Sequence, residues 1–493
     1  MANIVSSAFP HTRIINRSYH ALALGNHLDI RSCDRRISTV RSGDDRKNIN
    51  RGTIGIRLPE KLSVSNLLLH VFHDQREQAP LEHALLLSAT PVKSPKEVIS
   101  WMWRDIHGSD NWDGLLDPLH PWLRREIVKY GELAQATYDA FDPHRPESCC
   151  YSPRGLLDRL GLAENGYRVS GYVYATTHVE LPRWLERPFH ADAWTAGESH
   201  WMGYVAVSDD VETRRIGRRD IVVAWRGTAA ASEWFKDLQV RLEPVEGRHR
   251  GEHARVEHGF QSVYRSRSAS AVRNKNTDSS ASEQVMAQVT ALVNSYRAKG
   301  EEVSLTVIGH SLGGALALLN AHEAAHTIPD LPVSVISFGA PRVGNAAFGD
   351  ELHELGVRVL RVVAEQDLVP KMPGVIINES VDKDCRAHEG VYAHVGTELR
   401  VDTHVSPYLK RGFDPAGVHG LETYMHLVDG YICRQSGFRE EAKRDVLLVN
   451  KACAMLKEEL RAPSCWYHRP SRRIRQEWPS SPYQASPVAC LEY

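Results

Sequence analysis

The chain has 493 residues, 42% hydrophobic and 25% charged, with a formal net charge of −1. Those proportions belong to a globular protein and leave no basic excess with which to grip nucleic acid. No run reaches the 18 consecutive apolar residues of a membrane-crossing helix, so no transmembrane segment is expected and any membrane contact is peripheral.

The eight cysteines are scattered without a C-x-x-C pair, which favours a reduced compartment. Residues 1–28 carry Ser6, Ser7, Arg13, Arg17 and Ser18 but no Asp or Glu. An acid-poor start rich in Arg and Ser has the character of an organelle transit peptide rather than a secretion signal. Residues 1–92 therefore read as a transit peptide and disordered arm, ahead of a folded domain over 93–440. From Lys96 to Phe141 the pattern turns helical and aromatic. Trp101, Trp103, Trp112 and Trp122 are expected in the core, with Ile127, Tyr130, Leu133, Ala134 and Tyr138 at helical spacing. A short helix is expected over Leu156–Leu160 and strands at Tyr172–Ala175 and His200–Val207, then a charged turn from Asp209-Asp210. Ile221–Trp225 is a continuous apolar run, as in a strand covered on both faces, and it exits through Arg226-Gly227-Thr228.

Residues 229–258 mix Trp234, Phe235, Leu238 and Leu242 with charge, which makes this loop a lid candidate. Residues 265–282 are low-complexity and read as a disordered insertion. Ser280 and Glu283 form a capping box, followed by Val285, Met286, Val289, Leu292, Val293 and Tyr296 on one helical face. Val303–Ile308 is a buried strand. Gly309-His310-Ser311-Leu312-Gly313 follows and leads into a helix, which is G-x-S-x-G in the strand–turn–helix context it requires. Further strands are expected at Val333–Phe338, Val357–Val363 and Val391–Val401, with a C-terminal helix and tail over 441–493. Repeated strand–helix units imply a mainly parallel sheet with helices on both faces, an α/β fold.

A serine hydroxyl becomes a nucleophile when a base takes its proton, and the base must be oriented by an acid. Ser311 is the expected nucleophile. In the hydrolase arrangement the acid and then the histidine follow it along the chain. Asp367, just past a buried strand, is the expected acid, the competing reading being a cap of the Asp-Leu-Val-Pro turn. His419 is the preferred base because it lies on a Gly-flanked loop. His426, further into the following helical run, is the alternative, and His404 is third. The backbone amides of Thr228 and Leu312 are the expected oxyanion donors. His322-Glu323-Ala-Ala-His326 is also a literal H-E-x-x-H, but no third ligand is spaced convincingly after it, so neither a metal nor a cofactor is expected.

The Gly-His-Ser-Leu-Gly-Gly elbow, Arg226-Gly-Thr, Phe338-Gly-Ala-Pro-Arg-Val-Gly-Asn and Asp367-Leu-Val-Pro resemble the class 3 (fungal-type) lipases. Asn111-Trp-x-Gly-Leu-Leu-Asp-Pro-Leu, Ser152-Pro-Arg-Gly-Leu-Leu, Arg219-Asp-Ile-Val-Val-Ala-Trp-Arg-Gly, His426-Leu-Val-Asp-Gly-Tyr and Pro463-x-Cys-Trp466 are more specific. They resemble the plant chloroplastic class I phospholipases A1, the DEFECTIVE IN ANTHER DEHISCENCE-like group. The resemblance implies an α/β-hydrolase fold and hydrolysis of the sn-1 acyl ester of phospholipids, with galactolipids and triacylglycerols as further substrates. It also implies fatty acid release for oxylipin (jasmonate) synthesis, at a plastid membrane, plastoglobule or lipid-droplet surface. Mapped onto this chain, the family's triad falls on Ser311, Asp367 and His419, although Gly420 stands where the family often has Asn or Asp. A zinc hydrolase and a catalytically silent lipid-binding module are the competing classes.

Overall fold

The structure is a computed structural model. It describes residues 97–142, 145–176, 199–228, 241–245, 253–267, 279–373, 391–412 and 414–467. The proposed transit segment and arm (1–92), most of the lid candidate and the centre of the 265–282 insertion lie outside the described residues.

Between Ser100 and His120 the expected helical stretch is only short turns, because Asn111 and Trp112 both take positive φ. Trp103 and Trp112 are buried, but Trp101 is 74% exposed and does not join the core. Helix α1 starts at Pro121, where the fixed φ of proline suits the first turn, and runs Pro121–Asp139 with His120 accepting from the Trp122 amide. Strands β1 (Tyr167–Thr176) and β2 (Ser199–Ser208) follow. The acidic pair expected as a turn instead starts helix α2 (Asp210–Ile216), because the Asp209 side chain caps it through the Glu212 amide. Next come β3 (Arg219–Trp225), the short strands β4 (Leu242–Pro244) and β5 (Arg255–Glu257), and α3 (His258–Arg265). The described ends of the lid candidate thus pair as an antiparallel β4–β5 ribbon. Helix α4 (Ala281–Arg297) carries the capping box of Ser280 and Glu283.

Strand β6 (Val303–His310) leads into α5 (Leu312–Thr327), then β7 (Val333–Phe338), β8 (Gly344–Asn345), α6 (Ala346–Glu354) and β9 (Arg358–Ala364). The strand expected over Val391–Val401 is divided into β10 (Tyr392–Ala393) and β11 (Thr397–Val401). Gly396, at φ +87°, breaks it: a Cβ there would meet the Val359 carbonyl oxygen at 2.4 Å. Helices α7 (Pro415–His419) and α8 (Leu421–Gly430) complete the domain.

The main sheet has seven strands in the order β1-β2-β3-β6-β7-β9-β11, and a separate four-stranded sheet has the order β10-β8-β5-β4. From β3 to β11 every pairing in the main sheet is parallel, while β1 and β2 extend it antiparallel. Side chains alternate across a strand, and β3 uses both faces. Val222 and Ala224 enter a core with α1 and α8, whereas Ile221, Val223 and Trp225 enter a second core with α4 and α5. Burial on both sides is why this strand reads as an unbroken apolar run. Among the described residues after 440, the helical segments are 3₁₀ turns at Val446–Lys451 and Glu458–Leu460 in place of the expected helix. Side-chain ties shape that segment in place of an amphipathic stripe. Lys451 reaches Asp139 at 2.6 Å, and the Trp466 indole donates to the Leu447 carbonyl at 2.9 Å.

Candidate active site

The C-terminal ends of β3, β6, β7 and β9 lie side by side in the parallel sheet, the edge where open α/β sheets place ligands. Ser311 is at the turn from β6 to α5 with φ +57° and ψ −129°. A non-glycine residue there is strained by about 1–3 kcal/mol. That is roughly what burying one aliphatic side chain contributes, and Leu305, Val307 and Ile308 of β6 are all fully buried. The strand therefore has ample packing to hold the turn. Gly309 makes the turn possible: a Cβ on it would stand 2.1 Å from the Gly313 carbonyl oxygen. Ser311 is completely buried, and its Oγ has no hydrogen-bond partner. Leu312 opens α5, so its amide is one of the first-turn N–H groups that lack an intrahelical acceptor.

Asp367 follows β9. Its Oδ2 accepts from His419 Nδ1 at 2.7 Å and from the Tyr424 hydroxyl at 2.6 Å, and its Oδ1 accepts from the Val369 amide at 2.9 Å. Burial pushes this carboxyl up. The His419 charge and these three hydrogen bonds outweigh it and hold the group below the usual carboxylate range. An ionised Asp367 only accepts, so the proton on His419 sits on Nδ1. His419 Nε2 is left as the basic nitrogen, and it too is buried without a partner. The turn-capping role of Asp367 and its role toward His419 coexist, one on each oxygen.

A second set of bonds ties the pieces together. His310 Nε2 lies 2.7 Å from the His419 carbonyl oxygen and Nδ1 lies 2.7 Å from the Tyr138 hydroxyl. Burial, with the neighbouring His419 charge, lowers the His310 pKa to about 3, so the ring is neutral. A carbonyl can only accept, which puts the proton on Nε2 and makes Nδ1 the acceptor for Tyr138. The same hydroxyl accepts from the Gly227 amide at 3.1 Å. The β3 exit, the elbow and the histidine loop are thereby joined through Tyr138 and His310. The centroids of the two imidazoles lie 4.6 Å apart, with the rings tilted by 37°. Thr228 is buried next along the β3 exit with its Oγ1 unpartnered. Arg226 anchors this exit, with its guanidinium 3.8 Å over the Phe141 ring and a bond to the Trp201 carbonyl.

The class 3 lipase family, described as Lipase (class 3), matches residues 222–377, which hold Thr228, Ser311 and Asp367. The chloroplastic phospholipase A1-Igamma1 of Arabidopsis thaliana is 42% identical over 385 residues, covering 74% of each chain. This chain belongs to the class 3 lipase family. The chloroplastic phospholipase A(1) DAD1 of Arabidopsis thaliana is 38% identical over 415 residues, covering 78% of this chain and 87% of that protein. Phospholipase A1-II 6 of Oryza sativa subsp. japonica is 40% identical over 389 residues, covering 74% and 90% respectively.

In this class 3 lipase the other histidine candidates lie apart from Asp367. His419 is the last residue of α7, with the glycine beside it, rather than on an open loop. His426 is inside α8, bonded to the Ser406 hydroxyl at 2.9 Å and stacked on Phe438. Burial, aided by Arg444, lowers its pKa to about 4, so it is a neutral core residue. His404 is a surface residue beside Gln366 and Asp402. In the H-E-x-x-H stretch Glu323 turns away from its histidines and accepts from Tyr264 and Ser282, whereas His322 and His326 both meet Glu351 on α6. Sequence spacing missed Tyr424, Tyr138 and the Thr228 hydroxyl. The tyrosines sit in helices at apolar-stripe positions, and a short Thr in a strand exit carries no periodic signal.

Proposed function

We propose that this lipase is a phospholipase A1 with Ser311 as nucleophile, His419 as base and Asp367 as the acid that orients it. One observation carries the reading. Ser311 Oγ at the strained elbow and His419 Nε2 are both buried without partners, and the other nitrogen of that histidine is 2.7 Å from an ionised Asp367. Ser311 Oγ attacks the sn-1 acyl carbonyl of a glycerophospholipid while His419 Nε2 takes the hydroxyl proton. The tetrahedral oxyanion meets the amides of Leu312 and Thr228, with the Thr228 hydroxyl as a further donor. His419 then passes its proton to the departing glycerol oxygen, and water releases the fatty acid from the acyl-enzyme by the same route.

No helix among the described residues is long and apolar enough to cross a membrane, which suits peripheral contact with a lipid surface. Ser311 is fully covered, so the acyl chain reaches it only when the site opens. The acid-poor N-terminal sequence and the chloroplastic relatives support a plastid as the place of work, at a thylakoid or plastoglobule surface. Jasmonate precursor release is the use to which the freed acyl chains are put. Residues 229–258 serve as the lid.

The test is release of fatty acid from phosphatidylcholine labelled separately at sn-1 and sn-2, alongside galactolipid and triacylglycerol. The wild type releases the sn-1 chain, and Ser311→Ala loses activity by about 10⁶-fold with an unchanged melting temperature. Full activity in folded Ser311→Ala overturns the mechanism. Lipid binding without release by the wild type marks a binding module instead.

A further inference from the structure

We infer that His322, His326 and Glu351 form a binding site for a zinc-type divalent cation, pinning helix α5 to helix α6 away from the ester-cleaving centre. His322 and His326 are one turn apart on α5, so their rings share a face, and they meet edge-to-face with centroids 4.7 Å apart. From the neighbouring helix Glu351 presents one carboxylate oxygen, Oε1, to both. It lies 2.9 Å from His322 Nε2 and 2.8 Å from His326 Nε2. All three candidate ligand atoms lie within 4.8 Å of one another.

This donor set decides the class of cation. Two imidazoles and one carboxylate suit Zn²⁺, Co²⁺ or Ni²⁺, whereas Mg²⁺ and Ca²⁺ prefer all-oxygen shells. Ligand bonds of about 2.0–2.2 Å in a tetrahedral shell put donor atoms roughly 3.3 Å apart. The two nitrogens therefore need to part from Oε1 by only about half an ångström, within the reach of side-chain torsions. Access is built in as well. The His322 side chain is 6% exposed and packs on the buried Phe348, while His326 is 39% exposed and is the ligand that an incoming cation meets first.

The site is not that of a zinc peptidase. Such an enzyme uses the glutamate between the histidines as its base, and here Glu323 holds Tyr264, Ser282 and Arg265 on another side of α5. The ligand that sequence spacing could not supply is Glu351, from a helix beyond the next strand. The His322 position is about 16 Å along the helix from Ser311, at about 1.5 Å per residue. The cation is therefore structural: it fastens the far end of the helix that carries the nucleophile.

The experiment uses the full chain freed of metal with a chelator and then titrated with Co²⁺ and with Zn²⁺. Uptake of one equivalent with the visible absorption of tetrahedral Co²⁺, displaced by Zn²⁺, is expected, together with a rise in melting temperature of about 2–4 °C. His326→Ala, at an exposed position that leaves the core intact, abolishes the absorption and the thermal shift. Glu351→Gln weakens both. Phospholipid hydrolysis is the same before and after chelation. Absence of uptake, uptake that survives His326→Ala, or hydrolysis that depends on the metal each overturns the proposal.

Discussion

The two ends of the parallel sheet each bury an aspartate, and they treat it differently. At the N-terminal end Asp220 of β3 accepts from the hydroxyls of Tyr130, Tyr167, Thr306 and Ser304 at 2.7–3.1 Å, with Arg218 3.9 Å away. At the C-terminal end Asp367 accepts three hydrogen bonds, but one of its partners is an imidazole whose second nitrogen is buried without a partner. An unsatisfied buried polar group costs about 1–3 kcal/mol. Such a cost persists where the atoms are reserved for something other than folding. The lesson is that the two buried acids differ in their neighbours: Asp220 is ringed by hydroxyls that it satisfies, whereas Asp367 holds an imidazole with a nitrogen to spare.

The largest effect that could break this contrast is Asp367→Asn. It leaves the fold intact and lowers kcat for ester hydrolysis by about 10⁴-fold, because an amide stabilises the wrong imidazole tautomer. An activity loss below tenfold would put Asp367 in the architectural class. The mirror experiment, Asp220→Asn, leaves the buried Arg218 charge uncompensated and lowers stability by roughly 3–5 kcal/mol in urea melts, while kcat of the folded fraction is unchanged. Thr228→Val is smaller again. Removing only the hydroxyl lowers kcat by about 10²-fold at constant KM, and Thr228→Ser restores it.

The smallest effect is one on which the two ends agree. His107, near Asp220, and His310, near His419, both have their pKa lowered to about 3, chiefly by burial. A folded value below the unfolded one of 6.5 gives stability that is fully present above pH 6.5 and is lost as pH falls toward 3. Each histidine contributes a slope of at most about 1.4 kcal/mol per pH unit. Urea melts of His107→Gln against wild type through this range read a slope lower by one proton; an unchanged slope would mean that His107 titrates normally.

What could be read from the sequence follows the range of the interactions. The elbow depends on neighbours within five residues, so Gly309, Ser311 and Gly313 announce themselves, and the capping box of α4 does so for the same reason. Asp367 was legible as a polar residue leaving a buried strand. The histidine was harder, since choosing between His419 and His426 requires knowing which ring faces β9, and only the packing of α8 decides that. Tyr424 and Tyr138 were invisible. Their partners are 57 and 172 residues away, and a tyrosine on an apolar stripe looks like any core aromatic. Asp209-Asp210 and Val391–Val401 were misread because a cap turned one into a helix and a glycine with positive φ divided the other. Glu351 is the counterpart on the α5–α6 side: two histidines on one helix were plain, and the carboxylate opposite them was not.

The bond from His310 to the backbone of His419 has a mechanical consequence. It handcuffs the proposed base, His419, to the residue adjoining the proposed nucleophile, Ser311. Whatever lifts to admit a lipid tail, these two parts travel as a single piece, with the Tyr138 phenol carrying the β3 exit along. On the proposed mechanism, the working atoms would then not have to be reassembled each time the site admits a lipid.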